Sequence, residues 1–278
     1  MRYHKLAIRF LIIFSAVNTF GLAQDNPAAT APNENSDNRT EARKRIEALS
    51  ATVTSDGTAE PLKFSKDPIL VFSDPTRKES TGTVWAIGTE GRPKAILSLF
   101  TISGEKFWSY EFTSMTTEAV KSGKPPKWEW KPKGSALTLK DLKSDLVPAV
   151  SPAARLTQMK AISRDFSATE VYFDNTRTEL RLLTQPLLRY SDEKQDIIDG
   201  ALFAFANGTN PEILIVIEAV KTNGGTSQWR YGAAPMSSAQ LHLQLHDAEV
   251  WTIDPPKRDS VENPYYSRRE SLPPPGFN

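Results

Sequence analysis

The sequence predicts an α+β fold, a mainly antiparallel β-sheet with one principal helix over residues 151–166 packed on it. Three observations carry this. Ile213-Leu214-Ile215-Val216-Ile217 is the one unbroken β-favouring apolar run beyond the extreme N-terminus, and such a run suits a strand covered on both faces. Residues 151–166 place an apolar stripe at helical spacing behind an N-cap signal. The remaining strand-like segments are joined by short loops without βαβ alternation, which favours antiparallel pairing. An all-β sandwich or barrel with a peripheral helix is the alternative that the same pattern allows.

Taken in order, residues 1–23 have a basic start (Arg2, Lys5, Arg9), an apolar stretch over Phe10–Val17 broken by Ser15, and Gly21 and Ala23 at cleavage-site spacing. These are the marks of a secretory signal peptide cut after Ala23. The apolar stretch is too short to span a hydrocarbon layer of about 30 Å. Residues 24–39 hold no Val, Ile, Leu, Met or aromatic residue, so nothing there offsets the entropy of ordering. Thr40–Leu49 fits a short helix with Ala42, Ile46 and Leu49 on one side, and residues 50–66 read as polar and irregular. Residues 24–64 are therefore expected to be a disordered spacer around that helix, ahead of a single domain over 65–253.

Within the domain, Ile69–Phe72, Val84–Ile87, Ala95–Phe100 and Phe107–Phe112 read as strands, with a turn over Gly88–Pro93. In the last of them Trp108, Tyr110 and Phe112 alternate with Phe107, Ser109 and Glu111, putting three aromatics on one face. Trp128-Glu129-Trp130 follows the polar segment Lys121–Lys127 and, if extended, shows both indoles to one side. Residues 131–150 read as a connector. Ser151-Pro152 then opens the helix, with Leu156, Met159, Ile162 and Phe166 in the stripe and Arg155, Lys160 and Arg164 facing away.

Strands resume at Thr169–Phe173 and Glu179–Leu183 around the turn Asp174–Arg177, and at Leu187–Tyr190, where Pro186 implies an edge or a bulge. Asp192–Ile198 suits a helical turn. Ala201–Ala206 and the central run form a hairpin about Asn207-Gly208-Thr209-Asn210-Pro211, since Asn-Gly tolerates positive φ. Trp229–Ala233, Ala239–Leu245 and Val250–Ile253 complete the set. Six prolines and the Arg268-Arg269 pair after residue 254 predict a disordered tail over 254–278.

Composition excludes several chemistries. With no cysteine in 278 residues, there are no disulfides, thiol nucleophiles, Fe–S clusters or Cys-zinc sites. Removing Arg2, Lys5 and Arg9 from the 34 basic residues, while all 33 acidic residues lie beyond residue 23, leaves a charge near −2. That offers no footprint for nucleic acid or, after signal cleavage, for an anionic membrane. Neither glycine-rich phosphate motif occurs, and no G-x-S-x-G, so the sequence calls for no cofactor.

SPAARLTQMKAISRDFSA (151–168), LRLLTQPLLRY with IDGALFAFANGTNPEILIVIEA (180–219), WRYGAAPMSSAQL (229–241) and GTVWAIGTEGRPKAILSLF (82–100) together resemble an uncharacterised family of exported bacterial proteins. The likeness covers roughly residues 65–253. It implies one compact exported domain and carries over no functional residue.

Three constellations merit a geometric check. His242 and His246 have i, i+4 spacing, but Leu241, Leu243 and Leu245 alternate with His242, Gln244 and His246. A strand places the two imidazoles roughly 13 Å apart, beyond the reach of one zinc ion. Glu111, Asp199 and Glu218 border apolar strands. Half-buried, one of them could act as a general acid; paired with Arg189 or Arg230, it would be structural. Trp128 and Trp130 are the candidate ligand-stacking pair, for a glycan or a protein partner; packed inward they would be core. The expectation is a non-catalytic exported binding or structural module, periplasmic or extracellular, with a protein or glycan partner. A hydrolase with a carboxylate-based site is the alternative.

Overall fold

The computed structural model describes residues 34–74, 79–222 and 224–271. The predicted signal peptide, the spacer up to residue 33 and the last seven residues of the predicted tail lie outside them. In chain order the elements are α1 (Glu34–Glu47), β1 (Ser50–Ser55), β2 (Thr58–Pro61), β3 (Leu70–Asp74), β4 (Glu79–Ile87), β5 (Ala95–Thr101), β6 (Phe107–Ser114), β7 (Ala119–Lys124), β8 (Trp128–Trp130) and β9 (Thr138–Asp141). After these come α2 (Pro152–Arg164), β10 (Phe166–Val171), β11 (Arg177–Asp192), β12 (Ile197–Asn207), β13 (Asn210–Lys221), β14 (Ser227–Pro235), β15 (Gln240–Leu245), β16 (Ala248–Ile253) and β17 (Tyr265–Ser271). This is the α+β fold expected, mostly antiparallel sheet with α2 as its main helix.

The strands form three sheets. The largest runs β16-β15-β10-β11-β12-β13-β14-β9, the second β17-β6-β5-β4-β3, and the smallest β2-β1-β7-β8. The central hairpin sits inside the largest sheet, with Ile215 opposite Phe203 on one side and Ala233 on the other. Gly208 turns it at φ 59°, a left-handed conformation that glycine adopts without a Cβ clash. Because side chains alternate, the apolar run faces two cores. Ile213, Ile215 and Ile217 join Met159 and Ile162 of α2 under one face. Leu214 and Val216 meet Val84, Ala86 and Ile96 of the second sheet across the other.

The second sheet is likewise covered twice. Its far face carries Trp85, Leu97, Leu99, Trp108, Tyr110 and Phe112, roofed by Ala42 and Ile46 of α1 and by the smallest sheet. The layers are thus α2, large sheet, second sheet, then α1 with the small sheet, each interface sealed by apolar side chains.

α2 starts where the sequence predicts. Ser151 caps it by accepting from the Ala154 amide at 3.2 Å, with Pro152 at the first helical position. Arg155, however, does not face away. It is buried, donating to Asp199 of β12 at 2.9 Å and tying the helix to the sheet. Pro186 sits in a bulge and not at an edge: β11 is an interior strand, and its register slips between Leu183 and Leu188.

The domain boundaries need correction at both ends. Residues 34–64, expected as spacer, supply α1, β1 and β2, and Ala42, Ile46, Ala51 and Val53 are buried. Their larger apolar side chains, Ile46, Leu49, Val53, Leu62 and Phe64, gather on one core, which window composition does not reveal. The expected connector 131–150 holds β9; Leu139 of β9 and Leu137 just before it flank Gly232 of β14 so closely that a Cβ there would stand 2.8 Å from each.

The expected tail holds β17, which pairs with β6 from Tyr265↔Thr113 to Ser271↔Phe107. Tyr265 and Tyr266 are buried, and the Tyr265 hydroxyl donates to Glu111 at 2.9 Å. A chain ended after Asp254 is therefore expected to lose on the order of 3 kcal/mol from those two rings alone and to expose the β6 edge to aggregation. A melting temperature unchanged by that truncation would show that β17 does not hold the sheet.

Candidate functional site

The large sheet curls until its two end strands meet. Lys140 of β9 extends its ammonium to the Val250 carbonyl of β16. Beside this seam lies a groove of about 1070 Å³, walled by Thr138 and Lys140 of β9, by β16, and by the chain that leads from β16 to β17. Among the described residues no strand pairs with either end strand on its seam side, and all four residues of β9 are exposed.

Three elements position the walls. β9 is held by its register with β14, where Leu139 lies opposite Gly232. β16 is set by the hairpin with β15, whose two-residue turn His246-Asp247 has φ 48° and 64°. Such paired positive φ values match the twist of the flanking strands in so tight a loop. The crossing chain is pinned at its far end, where the Lys131 and Lys133 amides donate to the carbonyls of Val261 and Glu262 at 2.7 and 2.8 Å. Its nearer part, Pro256–Arg258, lines the groove.

The chemistry is amphipathic. Trp251, Ile253, Pro256 and Pro264 give the apolar lining. The two acids in the wall are engaged: Glu249 lies 2.6 Å from His242 Nδ1, and Asp254 accepts from Gln240 at 3.0 Å. Lys257 and Arg258 are exposed, and their side chains make no hydrogen bond or ion pair with any described residue. Lys140, Lys257 and Arg258 outnumber Glu249 and Asp254 in the lining, so its net charge is positive.

The sequence-derived candidates lie elsewhere. Trp128 and Trp130 do share one face, but that face is inward: they are 9% and 0% exposed. Trp130 stacks 5.0 Å from Phe112 and donates to the Asn263 carbonyl at 2.9 Å, while Trp128 meets Tyr110 edge-on at 5.7 Å. The ring of Trp128 is further covered by the Arg268 guanidinium at 4.8 Å. Neither indole offers an open face, so the stacking platform gives way to core packing. The polar KSGKPPK segment that suggested exposure begins inside β7, which pairs with β1 and β8.

The carboxylates are spent on structure. Asp199 bridges Arg155 and Arg189, the latter at 2.6 Å. Glu218 is 0% exposed and takes Arg92 at 2.8 and 3.2 Å, Arg230 at 2.6 Å and the Tyr190 hydroxyl at 2.8 Å. Burial acts to raise its pKa. The guanidiniums and the hydroxyl outweigh burial and hold it below the usual carboxylate range. It stays ionised and saturated with donors, which is no state for a general acid. The corresponding burial drives Tyr190 well above the ordinary phenol value. His242 lies in β15 and His246 in the turn after it, and among the described residues no group of three His, Asp or Glu side chains is assembled to hold a metal ion.

Sequence reasoning missed the groove because it passed over β9 and the crossing chain. One signal was present. Leu137 and Leu139 alternate with Thr138 and Lys140, a short period-two pattern within the prolines and glycine of 131–150. No family model, characterised protein or solved structure matches the chain. No helix among the described residues is long and apolar enough to cross a membrane.

Proposed function

We propose that this chain is an exported, non-catalytic binding domain that receives a segment of a protein partner in the groove between β9 and β16. The observation that carries the reading is the groove itself, an apolar-lined trough flanked by two strand edges that no described strand pairs with. Such edges are templates for a further chain. The basic, apolar and small-residue order of residues 1–23 supports export. The engagement of Asp199 and Glu218 in ion pairs favours binding over hydrolysis.

Thr138→Trp tests the site. Thr138 is an exposed residue of β9 that lines the groove, so an indole there fills the trough at little cost to the strand. Probed on matched arrays of extended peptides and of glycans, the wild-type chain is expected to mark peptides. Thr138→Trp is expected to abolish those signals with the melting temperature unchanged. Blank arrays, or signals indifferent to the substitution, would remove the groove from consideration.

A further inference from the structure

We propose that the occupant of the groove is an extended, carboxylate-bearing polypeptide that enters between β9 and β16 as an added strand and closes the large sheet into a barrel. This rests on the groove being the binding site and adds the class of ligand and its mode of attachment.

The spacing supports a single strand. Lys140 reaches from β9 to the Val250 carbonyl of β16. The two edges therefore stand within one lysine side chain and one hydrogen bond, about 9 Å. A strand placed between two edges needs about twice the usual spacing of roughly 4.8 Å. That limit lies close to what one inserted backbone requires and excludes two.

The backbone chemistry supports a peptide over other ligands. β16 ends one side of the sheet and β9 the other. An inserted strand would find amides and carbonyls along both walls, with alternate side chains meeting the apolar lining at Trp251 and Ile253. Lys140 now guards the β16 edge by occupying a carbonyl, as lysines on exposed edges do against indiscriminate pairing. A carboxylate on the incoming strand offers its ammonium a charged partner in exchange.

Charge sets the sign of the ligand. The lining sets three cations, Lys140, Lys257 and Arg258, against two carboxylates, Glu249 and Asp254, and Lys257 and Arg258 stand without a described partner. A basic strand would leave those cations facing like charge. An acidic one would neutralise them.

The test uses fluorescence polarisation of the mature chain with three labelled octapeptides: alternating Glu-Val, alternating Lys-Val, and Glu-Val N-methylated at every second amide. The expected order is Glu-Val tighter than either of the others by about tenfold or more, with binding weakened by salt. Lys257→Glu/Arg258→Glu should reverse the preference toward Lys-Val, a result that mere loss of structure cannot produce. Equal binding of the N-methylated peptide would show charge attraction without strand addition and overturn the proposal. So would a preference that the double substitution leaves unchanged. A glycan retained by the wild type and lost in Thr138→Trp, with no peptide bound, would keep the groove and sink the acidic strand. Peptide binding that survives Thr138→Trp would sink both.

Discussion

Ile215→Ala is expected to cost about 2–5 kcal/mol of stability, and Ile215→Asp to prevent folding. Ile215 is fully buried at the middle of β13 and lies between Phe203 and Ala233 on its two neighbours. Its side chain belongs to the core shared with Met159 and Ile162 of α2. Truncation leaves a cavity that flanking strands cannot close, because both are held by pairings along their length. An aspartate there would have no partner on an apolar face, and an unpaired buried charge is far costlier than a cavity. Urea unfolding of the alanine variant and soluble expression of the aspartate variant are the measurements. A soluble Ile215→Asp chain with wild-type melting temperature would mean that β13 is not the centre of the sheet.

That position was legible because the physics is local. A run of five β-favouring apolar residues admits few environments, and the sheet that covers it on both faces follows from side-chain alternation. The same holds for Trp108, Tyr110 and Phe112, whose common face lies in the core beneath α1. α2 was legible from Ser151, Pro152 and the spacing of Met159 and Ile162. What the sequence hid was tertiary. β1, β2 and β17 are polar strands that survive because neighbours pair with them, and their own propensity says little. Arg155 reads as a solvent-facing residue until Asp199 of β12 is seen beneath it.

The candidate site was hidden for the same reason. The groove draws on residues from 135 to 265, brought together by the curl of an eight-stranded sheet. No short motif can record a seam between the first and last strands of a spatial order. The indoles of Trp128 and Trp130 were visible as chemistry, but their burial depends on β6 and on Asn263, far away in the chain. Glu218 and Asp199 were visible as acids bordering apolar strands, and the pairing with Arg230 and Arg189 could be named in advance only as one of two options.

Glu218→Gln is expected to destabilise the chain by about 3–5 kcal/mol, since it leaves buried guanidinium charge uncompensated. Arg92 comes from the turn between β4 and β5, Arg230 from β14 and Tyr190 from β11, so the carboxylate at the end of β13 fastens the second sheet to the large one. Replacing Tyr190 by Phe removes one neutral donor and should cost less, about 1 kcal/mol. The pH dependence has a definite sign. Glu218 is held below the ordinary carboxylate range in the folded chain, burial opposing and Arg92 prevailing. Its contribution is therefore fully present above the unfolded value of about 4.3 and is lost as pH falls through the depressed folded value. Tyr190 acts at the other end: its raised pKa sustains folding below the ordinary phenol range and withdraws that support above about pH 10. Urea midpoints measured from neutral to acid pH should fall more steeply in the wild type than in Glu218→Gln. The two curves should converge once the wild-type carboxylate is protonated. Parallel curves would place the acid lability of this protein in some other carboxylate.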